Sequence, residues 1–199
     1  MKAIIIVLFL TYINVSIGFS VMKSSSINNK NLHSLRMAED YDLIIIGCGV
    51  GGHGAALHAR ANGLKTAILT GKDVGGTCVN RGCVPSKALL AASGRIREMK
   101  DTLHLKSFGI SVGDVSFDRQ AVANHASQLA NRVKGNLEAS LKAQGVDIIE
   151  SRGLLTNKHH EVLIESDNKV ITAKNIILAP GSIPFVPRGV QVSNMLYIR

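Results

Sequence analysis

A glycine-rich turn between a buried strand and a helix constrains this chain more than any other feature of its sequence. Leu43–Ile46 is a continuous apolar run, typical of a strand buried on both faces of a parallel sheet. Residues 47–52 follow and read G-C-G-V-G-G, and Gly52–Arg60 is predicted to be a helix that stops at Asn62-Gly63. Thr66–Leu69 is then a second strand. These segments together have the size of a βαβ unit, so we expect an α/β fold built on a parallel sheet.

Three glycines of this turn match the G-x-G-x-x-G pattern of dinucleotide-binding proteins. Gly47 permits the tight turn, Gly49 lets the backbone approach a pyrophosphate, and Gly52 lets helix and strand pack closely. The helix N-terminus then faces the anion. Because the pattern lies between a strand and a helix, it indicates dinucleotide binding, and a purely structural glycine turn is the alternative.

The same fingerprint expects an acidic residue at the end of the second strand, where it binds the ribose hydroxyls. Thr70 stands at that place. A hydroxyl still forms a hydrogen bond, although a weaker one than a carboxylate forms. Asp73 is close in sequence and is a candidate to substitute for the missing acid. We therefore expect Thr70 to contact the cofactor with less affinity than an acid would give.

The rest of the chain is predicted to alternate helices with a strand-rich tail. A second helix starts near Pro85, and a longer one runs from about Phe117 to Gln144 along one apolar stripe. Residues 162–164 and 170–172 flank the turn 167–169 and indicate a hairpin. Ile176–Ala179 is one more buried strand. The length of 199 residues fits one such domain plus an extension.

Two cysteines follow the second strand, in the segment 75–87 that reads GGTCVNRGCVPSK. In a regular helix five residues rise about 7.5 Å, beyond the roughly 7 Å over which two Cα atoms are bridged, so the backbone between Cys78 and Cys83 must be distorted. Gly82 lies between them and gives the backbone the conformational freedom for this distortion. A position at the start of a helix, with Lys87 one turn later, favours a thiolate. We predict a redox-active pair; a zinc half-site and two unpaired thiols are the alternatives, and Cys48 is expected in the core.

The first 38 residues differ from the rest in charge, since they hold four of the 23 Lys and Arg residues and none of the 14 acids. The apolar run Ala3–Ile13 is too short to cross a bilayer, and small residues before position 19 predict a signal peptide at 1–18. Residues 19–38 are rich in Ser and basic groups, as transit peptides are. Two such signals in series resemble the leaders of proteins sent to a secondary plastid, and simple secretion is the alternative.

The net charge of +9 is typical of nucleic-acid-binding proteins, but the composition argues against nucleic acid as a partner. Aromatic residues make up 4% of the chain and Trp is absent, so the stacking platforms of single-strand nucleic-acid binders are missing. We expect no nucleic-acid binding, no bound metal, and no membrane association after removal of the leader. Residues 39–199 are expected to form the folded domain.

The turn at 47–52 followed by G-G-T-C-V-N-x-G-C-V-P-S-K resembles the pyridine nucleotide–disulfide oxidoreductases. Residues 51–56, with Arg81 and the A-L-L at 88–90, are most similar to the plastid-type dihydrolipoamide dehydrogenases of that family, and glutathione and mercuric reductases share the core of the motif. The resemblance runs from about Tyr41 to Val190. It implies a Rossmann-like FAD-binding domain with a parallel sheet, helices and a small β-hairpin element, incomplete relative to the family.

The resemblance also implies roles for individual residues. Cys78 would exchange with the substrate disulfide, Cys83 would contact the flavin, and Lys87 would lie near the isoalloxazine. The segment 179–182 stands where the family has Ala-Thr-Gly. The other cofactor-binding residues are expected to be Gly47, Gly49, Gly52, Thr70, Gly76, Thr77, Gly153, Ala179, Gly181 and Ser182.

The resemblance also implies an electron path from dihydrolipoamide to the cysteine pair, to FAD and then to NAD. A domain absent from this chain would bind the NAD. The partners would be a second copy in a homodimer of the full-length enzyme and the lipoyl-bearing acyltransferase of a plastid pyruvate dehydrogenase complex. The family's His–Glu pair does not precede Arg199, so we expect a truncated or incompletely predicted product that is inactive alone. A non-catalytic flavin-binding or dimer-interaction module and a secreted thiol protein are the alternatives.

Overall fold

The computed structural model describes residues 5–6, 39–183 and 185–189. Except for Ile5–Ile6, the predicted signal peptide at 1–18 and transit-like leader at 19–38 lie outside these residues. The described elements, in chain order, are β1 (Ile5–Ile6), β2 (Tyr41–Ile46), α1 (Val50–Ala61), β3 (Thr66–Leu69), α2 (Gly76–Asn80), α3 (Cys83–Lys100), α4 (Thr102–Ser107), α5 (Arg119–Ala143), β4 (Asp147–Ile149), β5 (Gly153–Leu155), β6 (Glu161–Ile164) and β7 (Val170–Leu178).

The strands form one mixed sheet in the order β4-β3-β2-β7-β6-β5. The first four of these are parallel to one another, and β6 and β5 continue the sheet in antiparallel fashion. The short β1 pairs with the last two residues of β7, also in parallel. The predicted α/β fold, with a parallel sheet, helices and a small β-hairpin element, is confirmed.

Strand β2 is buried on both faces, as its continuous apolar run predicts. Ile45 packs in a cluster with Ala56 of α1 and Leu141 of α5, so these two helices cover one face of the sheet. Ile44 points to the other face, where it joins a cluster to which β6 and β7 contribute Val162 and Ile176. Successive side chains of β2 point to opposite faces of the sheet, so the strand contributes to two separate apolar clusters.

The last strand differs from the expectation of two separate strands at 170–172 and 176–179. It is one nine-residue strand, whose first part pairs with β6 and whose second part pairs with β2. The polar residues in its middle, which made the sequence look interrupted, both bond to Asp42. The Lys174 ammonium pairs with its carboxylate, and the Asn175 amide donates to its backbone carbonyl at 3.4 Å.

The helices follow the predicted pattern with shifted ends. The Asp118 carboxylate accepts hydrogen bonds from the backbone N–H of Gln120 and Ala121, so α5 begins at Arg119 rather than at Phe117. Helix α3 begins at Cys83, two residues before the predicted start at Pro85. Pro85 still lies in the first turn, where a missing N–H breaks no helical hydrogen bond. Among the described residues, no helix is long and apolar enough to cross a membrane.

Candidate functional site

The loops at the carboxyl ends of the parallel strands meet where the strand order changes direction. Chain-consecutive β2 and β3 are neighbours, whereas β7 lies on the opposite side of β2. In open α/β sheets ligands bind in the crevice outside such a point. Gly47 follows β2 and Ala179 follows β7, and the Ala179 N–H donates to the Ile46 carbonyl at 2.8 Å. The predicted glycine turn therefore lies at the position where a dinucleotide site is expected.

Two of the three fingerprint glycines are required by packing. Gly47 has a φ of +102°, and a Cβ there would lie 2.1 Å from the Ala179 carbonyl oxygen. A Cβ on Gly52 would lie 1.9 Å from the Gly47 carbonyl oxygen. These two positions let β7, the turn and α1 approach one another.

The middle glycine, Gly49, is different because a Cβ there would meet no atom closely enough to clash. The nearest atom there is the Gly76 Cα at 3.9 Å. Gly49 is the N-cap of α1, and no side chain caps the N–H groups of this helix. No acidic residue lies in its first turn. The free backbone N–H groups of this first turn and the uncovered backbone at Gly49 form a surface suited to an anionic pyrophosphate.

The start of the cysteine segment packs directly on this turn. Gly75 and Gly76 both have positive φ, at +88° and +57°, and a Cβ on Gly76 would lie 2.9 Å from the Gly49 Cα. The Gly75 N–H donates to the Cys48 carbonyl at 2.8 Å. The predicted cofactor-binding residues Gly76 and Thr77 are thereby brought beside the glycine turn, and α2 carries Cys78 along with them.

The two predicted redox cysteines lie on different helices that meet at a break in the backbone. Cys78 is in α2 and is half-buried, whereas Cys83 is the first residue of α3 and is exposed. A Cβ on Gly82 would lie 3.1 Å from the Thr77 carbonyl oxygen and 3.6 Å from the Cys78 Cα. The predicted distortion between the cysteines is confirmed, and Gly82 is where the two segments approach closely.

The Cys78 thiol interacts with Cys83. Hydrogen bonding of this thiol to Cys83, with added contributions from burial and from the charge of Cys83, raises the pKa of Cys78. From the helix N-terminus and Lys87 the sequence predicted a stabilised thiolate in this pair, without assigning it to one of the two cysteines. The pKa of Cys78 rises because ionisation would break the hydrogen bond of its thiol to Cys83, and because a negative charge on one sulfur disfavours a second one beside it. Lys87 is exposed one turn into α3.

Asp73, the candidate substitute for the missing ribose-binding acid, is occupied elsewhere. Its carboxylate accepts from the Asn80 amide at 2.9 Å and from both terminal nitrogens of the Arg81 guanidinium at 3.0 and 2.6 Å. These bonds lower the pKa of Asp73 and tie the loop before α2 to the break after it. Asn80 also donates to the Val74 carbonyl at 2.9 Å. Sequence reasoning missed Asn80, because its role depends on the α2 turn that brings it back to residue 73.

Thr70 lies at the expected place, directly after β3, but its hydroxyl serves the backbone. Thr70 is buried, and its oxygen accepts from the Lys72 N–H at 3.2 Å and donates to the Ile149 carbonyl at 3.5 Å. The Asp73 N–H donates to the Thr70 carbonyl at 3.0 Å and closes a turn. The threonine therefore stabilises the loop after β3.

The remaining predicted cofactor residues fall on two segments. Ala179, Gly181 and Ser182 follow β7 at the same edge of the sheet as Gly47, and Gly181 has a φ of +76° with open space at its Cβ position. Gly153 begins β5, where a Cβ would meet the Leu69 side chain at 2.9 Å. The structure thus gives Gly153 a packing role at the end of β3.

Of the seven histidines in the sequence, His53 has a packing role. Its Nε2 is hydrogen-bonded to the Ser140 hydroxyl at 2.9 Å and so joins α1 to α5. Over residues 39–183 and 185–189, no group of three or more His, Cys, Asp or Glu side chains is placed to hold a metal ion.

Cys48 is the third cysteine, and its burial leads to a prediction about thiol reactivity. Only 2% of it is exposed, and burial raises the pKa of its thiol to about 11. Because only roughly 0.1% of such a thiol is ionised at pH 8, Cys48 should not react while the chain is folded. A thiol-disulfide reagent such as DTNB should therefore titrate two thiols in the reduced, folded chain and a third only after denaturation. Three equally fast thiols in the folded chain would contradict this placement of Cys48.

These features define an α/β dinucleotide-binding fold with a cysteine pair attached to its glycine turn. The sequence pattern of the pyridine nucleotide-disulphide oxidoreductase family matches residues 41–197. The chain belongs to this family.

Comparisons with individual proteins agree with the family assignment. The chain is similar to dihydrolipoyl dehydrogenase 2, chloroplastic, of Arabidopsis thaliana, with 56% identity over 80% of this chain and 28% of that protein. It is also similar to the dihydrolipoyl dehydrogenase of a Synechocystis strain, with 53% identity over 78% of this chain and 33% of the relative. The chain thus spans about a third of the length of these relatives. The crystal structure of LpdA from Mycobacterium tuberculosis has the same fold, with a TM-score of 0.64 and 24% identity over 76% of this chain and 34% of that one.

Proposed function

We propose that this chain forms the FAD-binding, dithiol-bearing part of a dihydrolipoamide dehydrogenase. The observation that carries the proposal is the contact between Gly49 and Gly76, which fixes the cysteine segment against the dinucleotide turn. A dithiol that exchanges electrons with a bound cofactor needs this proximity. The similarity to two dihydrolipoyl dehydrogenases supports the choice of substrate.

FAD fits the chemistry of the crevice. Its pyrophosphate requires uncovered backbone donors without nearby acids, and Gly49 with the first turn of α1 supplies them. We assign Gly47, Gly49, Gly52, Gly76 and Thr77 to the pyrophosphate end, and place Lys87, Gly181 and Ser182 toward the flavin. When bound, FAD supplies an acceptor for the electron pair of the reduced cysteines, and NAD, held elsewhere in a longer protein, supplies the final acceptor.

The cysteine pair performs the exchange with substrate. In the oxidised chain Cys78 and Cys83 form a disulfide, and a dihydrolipoamide thiolate attacks the Cys78 sulfur and releases Cys83 as a thiolate. The second substrate sulfur then displaces Cys78 and closes the lipoamide disulfide. The substrate loses two electrons and two protons, and the cysteine pair and solvent receive them.

The cellular setting belongs to the same proposal. We place residues 1–18 as a signal peptide, 19–38 as a transit segment and 39–199 as the FAD-binding domain, with a secondary plastid as the destination. The chloroplastic relative supports a plastid. In the longer enzyme the partners would be a second copy of the chain and the lipoyl-bearing acyltransferase of pyruvate dehydrogenase.

Gly49→Ala tests whether the turn holds FAD. A Cβ at Gly49 meets no protein atom within 3.4 Å, so the fold should tolerate it, with a free energy of unfolding within about 1 kcal/mol of the parent. The same Cβ occupies the space that the pyrophosphate needs, so the FAD dissociation constant should rise by at least about tenfold, which corresponds to about 1.4 kcal/mol. Quenching of flavin fluorescence measures the affinity.

Gly54→Ala is the matched control, because Gly54 has nothing within 4 Å of its Cβ position and lies further into α1. It should bind FAD as the parent does. Equal FAD affinity of the Gly49→Ala chain and the parent would reject the proposed site.

A further inference from the structure

The structure leaves the ribose hydroxyls of the proposed FAD site without a carboxylate from the loop after β3. Thr70 uses its hydroxyl to close the local turn, and Asp73 has its carboxylate bound by Asn80 and Arg81. A neutral, buried hydroxyl that already has two backbone partners is a poor substitute for an acid. The neighbouring strand supplies a different candidate.

We propose that Glu150 binds the adenosine ribose hydroxyls of FAD in place of the missing acid. The inference rests on the proposed function, since it names a residue of the same site. Glu150 directly follows β4, the strand next to β3 at the edge of the sheet. Its carboxylate would accept hydrogen bonds from the two hydroxyls.

The strand register places Glu150 opposite Thr70. Leu69 pairs with Ile149 at the end of the β3–β4 ladder. The Thr70 N–H donates to the Ile149 carbonyl at 2.9 Å, which continues the parallel pairing by one residue. Neighbouring strands lie about 4.8 Å apart, so a glutamate side chain on β4 reaches the space above the end of β3.

The same register fixes the face of the sheet. Ile68 and Ile148 are partners, and both pack in the cluster that contains Ala56 of α1. Side chains two residues apart in a strand point to the same face, so Thr70 and Glu150 continue this face beyond the ladder. Helix α1 starts at the glycine turn on this side, so the carboxylate lies on the face where the bound dinucleotide would extend.

Glu150 is exposed, and its carboxylate has no hydrogen bond or ion pair with any part of the chain that the structure describes. Three other charged side chains come from the adjoining loops. Lys72 lies in the turn after β3, Arg152 has its Cγ 3.9 Å from the Cβ position of Gly71, and Glu165 donates its N–H to the Arg152 carbonyl. The two cations would favour a phosphate on the ribose, so an experiment must separate them from Glu150.

The test measures FAD affinity of the 199-residue chain by flavin fluorescence, with Glu150→Gln and with an FAD analogue whose adenosine ribose lacks both hydroxyls. We expect Glu150→Gln to raise the FAD dissociation constant by about tenfold, the size of one charge-assisted hydrogen bond. The parent should bind FAD about tenfold more tightly than the analogue, and the Glu150→Gln chain should bind both alike. Glu98→Gln, the same change on the exposed surface of α3, should have no effect.

The outcomes distinguish this inference from the proposed function. A parent chain that binds no FAD refutes both. A parent that binds FAD while Glu150→Gln leaves the affinity unchanged refutes the inference alone, as does a variant that still prefers FAD to the analogue. Tighter binding by Glu150→Gln would also overturn it, and would assign the ribose end of the site to the cations Lys72 and Arg152.

Discussion

Gly52→Ala is expected to destabilise the folded chain by more than about 3 kcal/mol, enough to unfold a domain of ordinary stability in large part. The Cβ of the alanine would lie 1.9 Å from the Gly47 carbonyl oxygen and 2.9 Å from its carbonyl carbon. Both are backbone atoms, so no flexible side chain moves aside. The turn, whose Gly47 N–H donates to the Leu69 carbonyl, must separate from α1 or from the sheet. Urea denaturation followed by far-ultraviolet circular dichroism measures the loss.

The control is Gly54→Ala, two residues later on the same helix. No atom lies within 4 Å of that Cβ position, so the substitution should be neutral or stabilise by up to about 1 kcal/mol, the helix preference of alanine over glycine. Gly49→Ala, Gly52→Ala and Gly54→Ala thus test three roles within six residues: contact with the cofactor, close packing of the helix on the turn, and neither of these. If Gly52→Ala were as stable as Gly54→Ala, the close packing of α1 on the turn would be wrong.

The first half of the fold follows from the sequence because its signals are local. The apolar run of β2, the glycines and the helix stop at Asn62 each act within a few residues of their own position. The break between Cys78 and Cys83 was predictable for the same reason, since the spacing alone rules out a regular helix between bridged cysteines. The location of the crevice then follows from the strand order that βαβ connections impose.

Features that depend on distant partners were not predictable. The continuity of β7 rests on Asp42, which lies more than 130 residues earlier in the chain and pairs with Lys174 and bonds Asn175. The pairing of Asp73 with Arg81 depends on the tight α2 turn, and the register of Thr70 with Glu150 depends on a crossover of four helices. The helix start and Lys87 predicted a thiolate in the cysteine pair, but the rise in the pKa of Cys78 was not predictable, because it depends on the side-chain interaction with Cys83.

Cys83→Ser is expected to abolish dithiol exchange with dihydrolipoamide. After oxidation, treatment of the parent chain with dihydrolipoamide should reduce the disulfide of Cys78 and Cys83 and expose two new thiols per chain. The variant has no intramolecular partner for Cys78, so it should gain none. Alkylation of the folded chain followed by mass measurement counts the thiols directly, under anaerobic conditions and without added flavin.

Cys48→Ala should keep the gain of two thiols, because Cys48 is buried in the core beneath the glycine turn and takes no part in the exchange.

The pH dependence of the reverse reaction provides a further test. Reduction of lipoamide by the reduced chain needs the Cys78 thiolate, and the hydrogen bond that the Cys78 thiol donates to Cys83 raises the pKa of Cys78. Its rate should therefore still rise with pH above about 8.5, the ordinary cysteine value, because ionisation is incomplete there. A rate that levels off below that pH, or two new thiols in Cys83→Ser, would contradict the assignment of Cys78 as the sulfur that exchanges with substrate.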